Sequence, residues 1–348
     1  GSRAPLAGSF FFPPGRMSRA ELIAAFQERA AQLAAEERKS PAAPEGIRGR
    51  FACPGSGRTL SDEIWAPTSA PALIDLVYLH GACESADSLP VRNVAASALK
   101  RGWRLLVPEH QGHGDSDGKP GVLDSFDGLV ADAGDYIDAA VATEGAAPRF
   151  AVVGHSMGAT VAAYLGGRLR KSYGSRFLGA LMIAPAVGAD PQLLPPRPVV
   201  ALLRVASAVL PSLAFPATPF EEPAGYCASD PPPGRNYRGH WPLSMASVVL
   251  DLSTKRVPED CAEGGALRSA AAAFPAVVIK GRGDAMVPSN AIDAFKTALE
   301  AAAGAAGEPA PRLVEFGGGH QPLMGPLGRE NAEKLAGEVS FLAAAVRD

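Results

Sequence analysis

Residues 150–160 read Phe-Ala-Val-Val-Gly-His-Ser-Met-Gly-Ala-Thr, a G-x-S-x-G set between an apolar run and a helical pattern. A strand-to-helix turn this sharp strains the backbone of its serine and leaves no room for side chains beside it, which accounts for Gly154 and Gly158. The turn would expose Ser156 Oγ at the sheet's edge. It would also aim the Met157 amide, at the helix N-terminus, to where a carbonyl under attack becomes an oxyanion. A serine hydroxyl is a weak nucleophile at neutral pH. It needs a histidine to take its proton and a carboxylate to fix the imidazole tautomer.

On a sheet that carries such an elbow, the partners follow the serine in the order acid, then histidine. Of six histidines, His80, His110, His113 and His155 precede Ser156, and His240 lies in a proline-rich interval. Only His320 follows a late strand pattern, Leu313-Val-Glu-Phe316, and a glycine run, so it is the expected base. The expected acid is Asp284, just past the buried-type strand Val277-Val-Ile-Lys280 and the turn Gly281-Arg-Gly283. Asp251 and Asp260 are fallbacks, more naturally read as solvated carboxylates. The second oxyanion donor is expected from the Ala82 amide, after the strand Leu76-Val-Tyr-Leu79. His80 in the same turn is placed beside the substrate and as a hydrogen-bonding buttress of the loop. Cys83 is a bystander, since Ser156 holds the elbow.

The elements that must position these groups alternate between short apolar strands and longer helical stretches from about Arg48, the pattern of a mostly parallel sheet covered by helices. Strands are expected at 72–79, 103–108, 150–153, 178–183, 276–280 and 313–316, with an antiparallel start near 50–53 and 62–65. Helices are expected at 91–101, 126–142, 157–170, 290–303 and 329–346. Three parts follow: an N-terminal extension, 1–45; a core, 46–185 and 266–348; and an insertion, 186–265, read as a lid. The extension opens on a Phe/Pro-rich stretch and carries a capping box, Ser18-Arg-Ala-Glu21, ahead of an amphipathic helix through Leu22, Ile23, Phe26 and Leu33. The insertion is rich in proline. Its apolar positions, among them Leu202, Leu203, Leu210 and Phe215, are expected to wall a substrate channel.

Composition narrows the class. The chain has 348 residues, 47% hydrophobic and 20% charged, with net charge −3 and acids and bases interspersed. There is no basic stripe for nucleic acid. The four cysteines, Cys53, Cys83, Cys227 and Cys261, have no metal-ligand spacing and read as free thiols. No metal is expected. Residues 198–216 are apolar but broken by Arg204 and Pro211, too short to span a bilayer yet suited to lie on one. Gly1-Ser2 reads as a cloning remnant, so an upstream targeting segment and the compartment, intracellular or organellar, stay open.

His80-Gly81-Ala82, Gly112-His-Gly-Asp-Ser-Asp-Gly118, Gly154-His-Ser-Met-Gly158 and the Asp284/His320 pair together resemble the monoacylglycerol lipase family, which shades into plant lysophospholipase-like and caffeoylshikimate esterase-like proteins. The resemblance runs from about Arg48 to the C-terminus and includes Ser125-Phe-Asp-Gly-Leu-Val-Ala-Asp132. It implies an α/β-hydrolase fold with an eight-stranded, mostly parallel sheet, a helical cap forming an acyl-accepting tunnel, release of a small alcohol, and no cofactor. Ala159 stands where a second glycine is usual, and Asp230 to Trp241 is longer and more aromatic than the family pattern. The resulting expectation is hydrolysis of a monoacylglycerol or lysophospholipid through an acyl-enzyme, with peripheral membrane contact through the cap. Alternatives are a hydroxycinnamoyl esterase, an acyltransferase (His110 to Asp115 matches an HxxxxD spacing) and a ligand receptor that retains the fold.

Overall fold

The computed structural model describes residues 46–192, 194–214, 235–237, 240–324 and 327–346, without the side chain of Arg197. The N-terminal helix, Phe215, Phe220 and Cys227 lie outside these residues.

Eight strands form one sheet in the order β1-β2-β4-β3-β5-β6-β7-β8. They are β1 (Ile47–Ala52), β2 (Thr59–Trp65), β3 (Ile74–Leu79), β4 (Arg104–Pro108), β5 (Arg149–His155), β6 (Phe177–Ile183), β7 (Ala276–Gly281) and β8 (Arg312–Phe316). β2 is antiparallel to both β1 and β4, and all remaining pairs are parallel. The eight-stranded, mostly parallel sheet and its antiparallel start are thus as expected. β5 runs two residues further than its apolar run, because Gly154 still pairs with Leu79 and Met182 before the chain turns.

Parallel strands are joined by helices that cover both faces. α1 (Leu89–Leu99) and α8 (Gly328–Ala345) cover one face, and α2 (Phe126–Ala142), α3 (Met157–Tyr173) and α7 (Ser289–Ala306) the other. Alternate strand residues divide between them: Leu76, Tyr78, Ala151 and Val153 face α1 and α8, while Val77, Leu79, Phe150 and Val152 face α2 and α3. α1 starts two residues earlier than expected because Pro90 is acceptable in a first turn. Ser125 caps α2 by accepting the Gly128 amide at 3.0 Å.

Between β6 and β7 the described chain forms α4 (Arg197–Val209), α5 (Leu243–Asp251), a π-helical turn (Leu252–Arg256) and the short α6 (Val257–Cys261). α5 buries Leu243, Met245, Ala246 and Leu250 in the same cluster as α2, α3 and α7. Arg204 of α4 clasps Asp251 at the end of α5 at 2.5 Å. α4 carries two apolar stripes. Val199, Leu203 and Ala206 face inward, whereas Leu202 (67% exposed), Val205 and Val209, with Leu210 and Leu213 beyond them, face solvent.

Because β3, β5, β6, β7 and β8 are parallel neighbours, their C-terminal ends open onto one edge of the sheet. The loops that carry Ala82, Ser156, Asp284 and His320 meet there, as does the start of the inserted segment.

Candidate active site

Ser156 sits between β5 and α3 with φ 49° and ψ −114°. A Cβ on Gly158 would collide with the carbonyl oxygens of Leu79 and His80, and one on Gly154 with the backbone of Gly158 and Ala159. The helix start is therefore pressed against the end of β3 so closely that only glycine fits. Ser156 donates its amide to Ile183 O at 2.9 Å and accepts from Ala186 N at 3.2 Å, which braces the turn against the end of β6. Among the described residues, the non-glycine positions with positive φ are Cys83, Ser156 and Ala184. All three follow the ends of β3, β5 and β6, so backbone strain is concentrated where the loops converge.

Asp284 and His320 start from strands two and three places away from β5, about 10 and 14 Å at the usual strand spacing. Their loops close that gap together. Gly283 N donates to Gly318 O at 2.8 Å and Arg282 N to Phe316 O at 2.8 Å, and a Cβ on Gly281 would strike Gly319 O. In the result, His320 Nε2 is 3.0 Å from Ser156 Oγ and His320 Nδ1 is 3.0 Å from Asp284 Oδ2. The second Asp284 oxygen accepts the amides of Met286 (2.9 Å) and Val287 (3.1 Å). Burial pushes this carboxyl up. The imidazole charge and hydrogen bond of His320 and the two amides outweigh that and hold it below its usual 3.8. An ionised Asp284 that accepts from Nδ1–H leaves Nε2 as the lone-pair nitrogen facing the serine, the arrangement that can take its proton. Asp251 and Asp260 are engaged by other partners, Asp251 by Arg204 and Asp260 by Tyr164 and Arg256.

In the loop after β3, Gly81 N is taken by Glu84 Oε2 (2.7 Å) and Cys83 N by His113 Nε2 (3.2 Å). The amide between them belongs to Ala82, which lines the cavity beside Ser156. His80 does not line that cavity. It is fully buried, its Nδ1 donating to Gly81 O (2.7 Å) and its Nε2 accepting from His110 N (3.0 Å), so the geometry corrects it from a substrate contact to a loop buttress. The HxxxxD string lies in the loop after β4, with His110 buried and Asp115 turned to Arg235, and neither reaches the serine cavity.

The cavity encloses about 40 Å³. By the same measure one water needs roughly 10–15 Å³, so it holds a few waters and no acyl chain as it stands. Ala186, Gly188, Ala189, Trp241, Val249, Ser253, Met286 and Val287 complete its wall. Leu202, Leu203 and Leu210 are absent from that wall: Leu203 is packed in the core, and the other two face solvent. Sequence reasoning missed Val249 and Ser253. Their four-residue spacing across the junction of α5 and the π-helical turn was the available signal.

It also missed Glu84, which is 4% exposed. Glu84 accepts from Gly81 N, from His155 Nδ1 (3.0 Å) and from Gln321 Nε2 (2.5 Å), while His155 Nε2 is 3.1 Å from His320 O. One carboxylate thus ties together the loops of Ala82, Ser156 and His320. Burial pushes the His155 pKa down, but the charge and hydrogen bond of Glu84 outweigh it and hold the group above 6.5. Burial raises the Glu84 carboxyl, and His155, Gly81 N and Gln321 bring it below 4.5. A histidine whose folded pKa is raised contributes stability in full below its unfolded value and loses it as pH rises through the folded one. Wild-type stability should therefore decline as pH climbs above 6.5. In Glu84→Gln burial dominates, so that decline should vanish and stability should fall on the acid side of 6.5 instead. Urea unfolding at stepped pH measures both slopes, and parallel profiles would contradict the assignment.

The sheet order, the strained serine on its glycine-flanked elbow and the histidine and carboxylate delivered from the last two strands define an α/β-hydrolase. A family model described as serine aminopeptidase, S33, matches residues 72–304, and the chain belongs to that family. Among curated proteins it is 32% identical to a monoglyceride lipase of Homo sapiens over 46% of this chain and 50% of that one. It is 28% identical to a monoacylglycerol lipase of Mycolicibacterium smegmatis over 68% of this chain and 79% of the relative. The chain thus spans about half the length of the human relative it matches. The crystal structure of a soluble variant of the Saccharomyces cerevisiae monoglyceride lipase, bound to a substrate analogue, superposes with a TM-score of 0.63 at 12% identity, over 89% of this chain and 97% of that one. These findings support the resemblance to monoacylglycerol lipases stated from the motifs.

Proposed function

We propose that this chain is a serine esterase that hydrolyses small lipid esters, monoacylglycerols foremost and lysophospholipids next. The observation that carries the reading is the unbroken relay from Ser156 Oγ through His320 to Asp284, at 3.0 Å in each step. Ser156 attacks the ester carbonyl while His320 Nε2 takes its proton. Negative charge on the carbonyl oxygen is met by the amides of Met157, which opens α3 with no acceptor one turn back, and Ala82. His320 then protonates the departing alcohol. A water activated by the same imidazole hydrolyses the acyl-enzyme, and Ser156 regains its proton. Every step uses side chains and amides of this chain, and no cofactor enters.

Residues 186–265 act as a cap. The names of the relatives support lipid esters as substrates, and the wall of Trp241, Val249, Met286 and Val287 suits an apolar acyl group. A cavity of about 40 Å³ must widen to admit one. The outward stripe of Leu202, Val205, Val209, Leu210 and Leu213 supports docking of that cap on a membrane surface. Among the described residues no helix is long and apolar enough to cross a bilayer.

The test is hydrolysis of a panel of monoacylglycerols, lysophospholipids, short p-nitrophenyl esters and a hydroxycinnamoyl ester, with and without phosphatidylcholine vesicles. Turnover should peak on a long-chain monoacylglycerol, and the protein should co-sediment with the vesicles. A peak on the hydroxycinnamoyl ester would move the alcohol and acyl assignments. Stoichiometric labelling of Ser156 by a fluorophosphonate without turnover of any ester would leave a receptor.

A further inference from the structure

One cation of the inserted segment, Arg235, is seated among acids of the core. Arg235 is held by four carboxylates: Nε to Asp87 Oδ2 (2.7 Å), Nη1 to Glu109 Oε2 (2.8 Å) and Asp115 Oδ2 (2.9 Å), and Nη2 to Glu63 Oε2 (3.1 Å). Its side chain is 12% exposed, and those of Glu63, Asp87 and Glu109 are 5% or less. Arg48 and Arg92 also reach Asp87, but Arg235 is the cation that spans all four acids among the described residues. The rigid fork of a guanidinium suits such a socket, which an ammonium cannot fill in the same way.

The two residues after Arg235 grip the loop that carries Ala82. Tyr237 N donates to Cys83 O at 3.0 Å, and Ser85 Oγ donates to Asn236 Oδ1 at 2.7 Å. The socket holds the same loop from behind, since Glu109 Oε1 accepts Ala86 N at 3.0 Å and Asp87 is itself a loop residue. Cys83, next to Ala82, has φ 67°, a conformation that a residue with a side chain keeps only when its surroundings impose it. Its amide is fixed by His113 and its carbonyl by the strap.

We propose that Arg235 is a positioning residue: by seating the strap 235–237 in the core, it holds Cys83 in its strained conformation and so keeps the Ala82 amide aimed at the oxyanion. Cap seating and completion of the oxyanion hole are then one event. This rests on the reading of Ala82 as a donor in the reaction proposed above.

The test compares wild type, Arg235→Met and Arg235→Lys on p-nitrophenyl acetate, an ester too short to reach α4, with inhibition by phenylboronic acid as a tetrahedral mimic. Arg235→Met should lower kcat about tenfold or more, in the range of a weakened oxyanion donor, with KM within about twofold and boronate affinity falling in parallel. Arg235→Lys should recover part of the loss. Folding is followed by circular dichroism and thermal melting. Should Arg235→Met not fold, Ser85→Ala, which removes one bond between loop and strap and leaves the socket intact, should lower kcat a few-fold on the same ester. A folded Arg235→Met, or in its place Ser85→Ala, with wild-type kcat on the short ester overturns the proposal. So does a defect confined to long-chain KM. If the wild type is no more active than Ser156→Ala, the esterase reading itself fails, and that outcome is distinct from failure of the latch.

Discussion

Ser156→Ala should abolish ester turnover, with kcat falling about four to six orders of magnitude while KM for a soluble ester changes little. The hydroxyl meets an imidazole nitrogen positioned to deprotonate it, His320 Nε2, at 3.0 Å. The substitution removes one oxygen from a site whose backbone is braced from Ile183 and Ala186, so the elbow should persist. Ala also tolerates positive φ no worse than Ser, and thermal stability should stay near wild type. The residual rate would come from binding and the two amides acting on water. Fluorophosphonate labelling should vanish with the hydroxyl, and activity-based labelling read by intact mass measures it. A variant that still labels would place the nucleophile elsewhere.

Asp284→Asn should cost about four orders of magnitude in kcat, nearly as much, without removing either reacting group. The carboxylate accepts from His320 Nδ1 at 3.0 Å and from two backbone amides through its other oxygen. In the variant the amide oxygen will stay on the Met286 and Val287 amides, so the NH₂ points at Nδ1. That forces the proton to Nε2, and the imidazole then faces Ser156 with a donor instead of a lone pair. The distinguishing sign is pH. Raising pH creates an alkoxide or hydroxide that does not need the base, so the variant's rate should climb with pH beyond the point where the wild type levels off. A variant with wild-type kcat would show that Asp284 only anchors its loop.

The convergence of the candidate triad was legible because chain order and strand ends constrain it. Ser156, Asp284 and His320 each stand at a glycine-marked strand terminus, and the structure brings these three within hydrogen-bonding reach. The sheet was legible because strands buried on both faces are continuous apolar runs. What was not legible depends on distant partners. The apolar positions of the insertion were expected to form one channel wall, yet on α4 they split into an inward stripe at Leu203 and an outward one at Leu202, since periodicity shows that a helix is amphipathic but not what covers it. The wall assigned to Leu202, Leu203 and Leu210 is made instead by Trp241, Val249, Ser253, Met286 and Val287, from either side of the insertion's end. Glu84 looked like an ordinary loop acid, because nothing local announces that His155 and Gln321, more than 70 residues away in the chain, will close over it. The socket of Arg235 draws its four acids from β2 and the loops after β3 and β4 for the same reason.

Among the described residues the sheet does not close on itself, so β1 and β8 each leave a rim of backbone donors and acceptors without a neighbouring strand. An open rim invites a strand from another molecule to add on, and charged side chains at outward positions are a recognised deterrent. β1 carries Arg48 and Arg50, and β8 carries Arg312 and Glu315, the latter ringed by Lys280 and Arg282. A copy approaching either rim would have to strip water from those charges and disturb the ion pairs they make with Asp87, Asp117, Arg282 and Glu338. The charges at both rims thus work against strand-to-strand addition between copies.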